Sequence, residues 1–153
     1  MKKQIINQTF DEERSLYNLI DTEVSNCIFA GEADGESVLK ECRGVEVKNC
    51  KFSLRYPLWH ARKFLLEKSS MDELTRAPLW YCDNGTIEDC NITGIKCLRE
   101  CKNIVVNNSD IASAEFGWRC KGVNITNSKI DSVYFLFCLL YTSDAADDLT
   151  RVD

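Results

Sequence analysis

Glu67 and Glu88 stand 21 positions apart in similar segments. Two carboxylates brought within one inter-strand spacing can share a proton or hold Ca²⁺, the chemistry of glycoside hydrolysis and lyase sites. His60 is the only histidine, and no motif sets a Ser or Cys beside it, so a nucleophile–base triad is unsupported. Nine cysteines invite zinc or disulfides, yet the count is odd and no C-x-x-C pair occurs. Trp59, Trp80 and Trp118, with Arg99 between the last two, recur at a near-constant interval. A row of indoles with a cation can stack on sugar faces or on a partner's apolar surface.

Internal repetition explains where these residues fall. The segments CRGVEVKNCKF (42–52), ARKFLLEKSSM (61–71), CDNGTIEDCNI (82–92), CKNIVVNNSDI (101–111) and CKGVNITNSKI (120–130) superpose without gaps, in steps of 19, 21, 19 and 19 residues. DTEVSNCIF (21–29) is an earlier copy. Within a copy, Val45 and Val47 alternate with Glu46 and Lys48, the period of a strand with one buried face. The alternation breaks at Asn49, after which Cys50 and Phe52 are apolar again. One residue at φ > 0 does this, and Asn tolerates the left-handed region better than other non-Gly residues.

That corner reads Asn7, Asn26, Asn49, Lys68, Asp89, Asn108 and Asn127 down the chain. A second corner reads Gly44, Lys63, Asn84, Asn103 and Gly122. A third strand-like segment is expected at Pro57-Leu58-Trp59, Pro78-Leu79-Trp80, Cys97-Leu98-Arg99 and Phe116-Gly117-Trp118. The pattern predicts an all-β fold, a single-stranded right-handed parallel β-helix with coils of about 19–23 residues, a solenoid stabilised by stacking of neighbours. A leucine-rich repeat is the competing fold, since Val45-x-Val47-x-x-Cys50-x-Phe52 fits its core. Against it, a 19-residue step leaves little room for a helical return, and the returns carry Pro57 and Pro78.

The columns reinterpret the candidate chemistry. Cys42, Cys82, Cys101 and Cys120 share a column with Ala61, and Cys27, Cys50 and Cys90 share one with Ser69, Ser109 and Ser128, which says small inward-facing filler. A linear ladder supplies no tetrahedral zinc set, and no metal or cofactor is expected. Tyr17, Lys40, Trp59, Trp80, Arg99, Trp118 and Phe137 form an aromatic and cationic column. Lys40 and Arg99 would be costly in an apolar bore, so this column should face outward or line a groove. Trp59, Trp80, Arg99 and Trp118 are the candidate ligand-binding residues. His60 shares a column with Glu41, Tyr81, Glu100 and Arg119, where Glu100 and Arg119 should form a surface ion pair. The acidic segments GEADGES (31–37) and SMDELTR (70–76) interrupt the regular coils.

The chain carries a net charge of −5 without a clustered Lys/Arg run, which gives no footprint for nucleic acid or an anionic membrane. Its first residues hold no apolar run of signal-peptide length, and no later stretch can span a bilayer, so a cytoplasmic protein is expected. After Phe137 the repeat stops. CLLYTSDAADD is the frame translation of a transposase-type sequencing adapter, so residues 1–137 are expected to be a C-terminally truncated β-helix domain and 138–153 a non-native, disordered tail. That tail holds four Asp and one Arg, so its removal takes the net charge from −5 to −2 and leaves eight cysteines.

TFDEERSLY (9–17), GESVLKECRGVEVKNCKF (35–52), RYPLWHARK (55–63), APLWYCDN (77–84) and NITNSKIDSVYF (124–135) together resemble an uncharacterised bacterial family, domain of unknown function 3737. The resemblance implies the fold of the pectin-lyase-like β-helix superfamily and an N-terminal half of a longer protein. It brings no catalytic residues, and function lives in sites grafted on folds. The expected function is a non-catalytic binding or scaffold β-helix with a carbohydrate or protein partner. The alternative is a carbohydrate-active enzyme, a polysaccharide lyase or glycoside hydrolase, with its site partly beyond Phe137.

Overall fold

The computed structural model describes residues 2–135. Phe137 of the aromatic column and the expected tail 138–153 lie outside them. The first coil carries β1 (Lys3–Ile6) and β2 (Thr9–Phe10), the second β3 (Thr22–Ser25) and β4 (Ile28–Phe29), the third β5 (Glu46–Lys48) and β6 (Lys51–Phe52). The fourth holds β7 (Arg62–Glu67) and β8 (Ser70–Met71). Three strands per coil follow: β9 (Asp83–Glu88), β10 (Asn91–Thr93) and β11 (Cys97–Arg99), then β12 (Lys102–Asn107), β13 (Asp110–Ala112) and β14 (Glu115–Trp118), then β15 (Lys121–Thr126), β16 (Lys129–Asp131) and β17 (Tyr134–Phe135).

Every pairing is parallel and joins like positions of adjacent coils. The first face is the seven-stranded sheet β1-β3-β5-β7-β9-β12-β15, the second the seven-stranded sheet of β2, β4, β6, β8, β10, β13 and β16, and the third the three-stranded sheet β11-β14-β17. The described chain is therefore a right-handed parallel β-helix of about seven coils. Among the described residues there is no helix, which removes the leucine-rich repeat.

Both corner columns follow from backbone sterics. Asn7, Asn26, Asn49, Lys68, Asp89, Asn108 and Asn127 all have φ between 49° and 59°, and Gly44, Lys63, Asn84, Asn103 and Gly122 between 52° and 67°. Each left-handed residue turns the chain and keeps the side chains before and after it inward, so Val47 and Cys50 are both buried. The Asn49 amide donates to Oδ1 of Asn26, and that of Asn108 to Oδ1 of Asp89, so the corner side chains also bond along the axis. Inside, Val24, Val47, Leu66, Ile87, Val106 and Ile125 form one buried column. Phe10, Phe29 and Phe52 stack with centroids 5.5 and 4.7 Å apart.

The third face departs from expectation. Pro57-Leu58-Trp59 and Pro78-Leu79-Trp80 are not strands, and on this face strands begin only with β11. Tyr56, Leu58 and His60 alternate with ordinary residues at φ 58°, 59° and 59°, as do Ala77, Leu79 and Tyr81 at 50°, 62° and 60°. The backbone still bonds from coil to coil. Leu58 N–H donates back to Val38, while Tyr56 and His60 donate forward to Arg76 and Trp80. A left-handed leucine costs about 1–2 kcal/mol. Complete burial of Leu39, Leu58, Leu79 and Leu98, worth about 1.5–3 kcal/mol each, offsets that.

The two insertions leave the ladders intact. Ile28 and Leu39 are 11 positions apart where Lys51 and Leu58 are 7, so the longer second coil takes its extra residues wholly between the second and third faces. Gly35 lies so close to the backbone of Glu12 and Glu13 that a Cβ there would stand 2.2 Å away, which packs this insertion on the first coil. Within 70–76, Ser70 and Met71 belong to β8, so only the residues after them bulge.

Candidate functional site

The ridge between the third and first faces gathers the aromatic column. On each coil the Trp-column residue is followed by a left-handed corner residue whose N–H bonds the next coil: Glu41 to the Trp59 carbonyl, His60 to Trp80, Tyr81 to Arg99 and Glu100 to Trp118, at 2.8–2.9 Å. This ladder holds the side chains above one another. Trp59 lies 5.2 Å from Trp80, tilted by 34°, and 5.3 Å from Tyr81, with Tyr56 edge-on at 6.0 Å. The Arg99 guanidinium sits 4.9 Å from the Trp80 centroid and 6.0 Å from that of Trp118, a cation–π sandwich. The Trp80 indole N–H donates to the Lys96 carbonyl at 2.6 Å. All four candidate residues, Trp59, Trp80, Arg99 and Trp118, are half-buried on the outer side of the helix.

Beside them lies an open groove of about 360 Å³ lined by Glu36, Ser37, Lys40, Tyr56, Trp59 and Trp80. The first insertion supplies one wall, anchored where Arg55 meets Asp34 and Glu36, each at 3.5 Å. The groove thus combines an aromatic floor with an ammonium, a carboxylate and a hydroxyl at its rim, the mixture that holds a small polar ligand by stacking and hydrogen bonds. Sequence reasoning placed the tryptophans but missed Glu36 and Ser37, which an insertion of irregular length brings to the column, and Tyr56, which precedes Trp59 on its own coil.

The carboxylate pair lies elsewhere. Glu67 and Glu88 are in register, and with the corner Asp89 each offers an oxygen within 4.8 Å of the others. Lys48, in register with Glu67, points away and pairs with Glu46 at 3.2 Å and Glu23 at 3.5 Å. Its neighbours Lys2 and Lys48 hold the Glu46 carboxyl below its ordinary value. The cluster occupies the far end of β7 from Trp59, about 16 Å along the strand, so it shares no surface with the aromatic groove.

His60 pairs through Nδ1 with Oε1 of Glu41 at 2.9 Å, and Arg62 approaches the same oxygen at 4.0 Å. The expected Glu100–Arg119 ion pair is not formed among the described residues. Both side chains are exposed at a left-handed corner, where water competes with the pair.

The eight described cysteines are free and buried. They are more than fillers. Cys82 N–H donates to Sγ of Cys101, and Cys101 N–H to Sγ of Cys120, both at 3.4 Å, while the thiols of Cys82 and Cys101 donate to the Leu58 and Leu79 carbonyls at 3.0 and 2.9 Å. In the second ladder Ser69 Oγ accepts from Cys50 N–H, Ser109 Oγ from Cys90 N–H and Ser128 Oγ from Ser109 N–H, at 3.0–3.1 Å. Cys and Ser interchange because each supplies an acceptor to a backbone N–H that the left-handed corner before it leaves unpaired. Burial pushes the Cys42 thiol up to about 12 and those of Cys50 and Cys90 to about 11, so none is a thiolate nucleophile near neutrality.

The family model described as a protein of unknown function, DUF3737, matches residues 3–145, across the expected boundary between Phe137 and Cys138. No curated protein matches the chain. Among solved structures, the chain is similar to trypsin-treated QnrB1, a plasmid-mediated fluoroquinolone resistance protein, at 16% identity over 95% of this chain and 94% of that one, with a TM-score of 0.32.

Proposed function

The chain belongs to the DUF3737 family, and we propose that it is a non-catalytic binding β-helix that holds a carbohydrate on the Trp59–Trp80 surface. The observation that carries this reading is the groove, where half-buried indoles are rimmed by Lys40, Glu36 and Ser37. Sugar rings offer apolar C–H faces to the indoles and hydroxyls to the rim. The separation of this surface from Glu67 and Glu88 supports binding over catalysis, because a glycosidase or lyase needs its carboxylates at the stacked sugar. The three-faced coil supports the resemblance to pectin-lyase-like helices. The eight described thiols, buried and unpaired, fit a reducing compartment and support the cytoplasm. Among the described residues no helix is long and apolar enough to cross a membrane.

The test is a titration of the full chain against neutral and acidic oligosaccharides, repeated with Trp59→Ala and Trp80→Ala. Binding that falls at least ~10-fold in both variants, with unchanged thermal midpoints, is expected. A chain that binds no oligosaccharide, or variants that bind as well as the parent, rules the reading out.

A further inference from the structure

Three positions after the Trp column, each coil from Lys40 to Trp118 places a second outward residue on the same ridge, where the preceding coil has Ile20. These are Arg43, Arg62, Asp83, Lys102 and Lys121, joined in register from coil to coil. Lys63 and Arg119 flank the row at the left-handed corners on either side. Four of these five residues are cations, and a coil apart they make no run in the sequence, but stacking brings neighbouring charges, Arg43 beside Arg62 and Lys102 beside Lys121, to about 4.8 Å spacing along the axis. Like charges so close repel unless something neutralises them. Among the described residues Arg43, Lys63, Lys102, Arg119 and Lys121 form no ion pair, and Arg62 reaches only Glu41, at 4.0 Å. The chain as a whole is at −5, while the acidic residues Glu32, Asp34, Glu36 and Glu73 sit on or beside the insertions at the other end of the third face. The ridge also carries Asp83, Glu41 and Glu100, but its cations outnumber them.

A second, independent observation falls on the same ridge. Among the described residues, the buried side-chain polar atoms without a hydrogen-bond partner are Arg62 Nε, Asp83 Oδ1 and Arg99 Nε, all on the ridge at the fourth and fifth coils. Arg62 and Asp83 are in register, and Arg99 pairs with Trp80, three residues before Asp83. None of the three finds a partner within the described protein, so a donor or acceptor from outside it can serve each. The Arg62 side chain is 41% exposed, so a rotation of its outer bonds turns Nε to the surface. The two Nε–H groups need acceptors, ideally anionic, and the Asp83 oxygen needs a donor.

From these observations we infer that the carbohydrate of the Trp column is an acidic glycan, laid along the ridge with a ring on Trp59, its length against the outer edges of Trp80, Arg99 and Trp118, and its carboxylates or sulfates on the Arg43–Arg62–Lys102–Lys121 row. The inference rests on the proposed function and adds the ligand's charge. An acidic sugar supplies both kinds of partner that the orphaned atoms need, hydroxyl donors for Asp83 and anionic acceptors for the arginines. A single-stranded DNA backbone supplies only acceptors. The indoles also pack against Tyr81 and each other at 5.2–5.3 Å, a continuous wall rather than slots between which bases insert.

The experiment titrates the full chain with four probes of matched length, a uronate hexamer from alginate, a heparin hexasaccharide, cellohexaose and a thymidine hexanucleotide, at low and high salt. The acidic glycans should bind at least ~10-fold more tightly than cellohexaose, and their advantage should shrink with salt. The uronate and heparin arms separate carboxylate from sulfate as the anion. The double variant Lys102→Gln, Lys121→Gln should lose that advantage and keep its affinity for cellohexaose, while Lys51→Gln, Lys129→Gln on the second face should change nothing. Equal binding of cellohexaose and the acidic hexamers overturns the inference and leaves the proposed function standing. Binding of the oligonucleotide as tight as that of either acidic glycan overturns it in favour of a general polyanion site. No binding of any glycan sinks both.

Discussion

The ring of Phe64 fills the volume that Gly85 leaves empty on the next coil. The two are in register, and a Cβ on Gly85 would stand 2.1 Å from Cε1 and Cζ of that ring. Gly85→Ala should therefore destabilise the β-helix by about 1–3 kcal/mol through overpacking. Phe64→Leu in the same chain should recover part of the loss. Urea midpoints of the two single variants and the double variant check this, and additive losses would show that the ring is not the obstacle.

Asn49 holds φ at 54° and bonds to Asn26. Replacement by Ala should cost about 1–2 kcal/mol, because the left-handed region strains any Cβ that has no local polar compensation. Asn49→Gly should fall between Ala and the parent, since it relieves the backbone and loses only the amide bond. Thermal midpoints in the order Asn, Gly, Ala are expected, and Ala equal to Asn would contradict the corner reading.

Ser69 Oγ accepts from the Cys50 N–H at 3.1 Å and donates to the Glu67 carbonyl at 2.9 Å. Ser69→Ala leaves a buried N–H without an acceptor and should cost about 1–3 kcal/mol. Ser69→Cys restores an acceptor, as Cys does at neighbouring positions of the ladder, and should lie close to the parent. If Ala were tolerated as well as Cys, the ladder would be a matter of size alone.

Buried thiols make the fold sensitive to alkali. Folding raises Cys42 from 9.0 to about 12, and Cys50 and Cys90 from 9.0 to about 11. Below 9 both folded and unfolded chains keep these protons and nothing is lost. Above it the unfolded chain sheds them while the folded chain cannot, so stability should fall between pH 9 and 11–12, by up to about 1.4 kcal/mol per pH unit for each thiol. Cys42→Ala should flatten that slope in urea titrations at pH 8, 9.5 and 10.5. A slope unchanged by the substitution would assign the alkaline loss to other groups.

Much of this architecture was legible because solenoid stacking turns local chemistry into columns. Asn and Gly at fixed intervals marked both left-handed corners, and the steps between copies gave the register on the first two faces. The third face was legible only in its later coils, where Cys97-Leu98-Arg99 and Phe116-Gly117-Trp118 fall in β11 and β14. Leucine has no left-handed preference, and Leu58 and Leu79 adopt it because complete burial and coil-to-coil hydrogen bonds outweigh its steric cost. The role of Ser69 and Cys101 as acceptors was hidden for a related reason, since small size and hydrogen bonding predict the same residue types. The Trp column was visible, but the row from Arg43 to Lys121 was not, because charges one coil apart look isolated until the chain is wound.

The insertions at 31–37 and after Met71 enter and leave the solenoid at one seam, between the second and third faces, and neither shifts a rung of the ladders on either side. That seam is a natural graft point. Foreign peptides spliced there would be displayed beside the Trp59 groove with the winding undisturbed, so the specificity of this surface can be rewritten by changing loop length and composition alone.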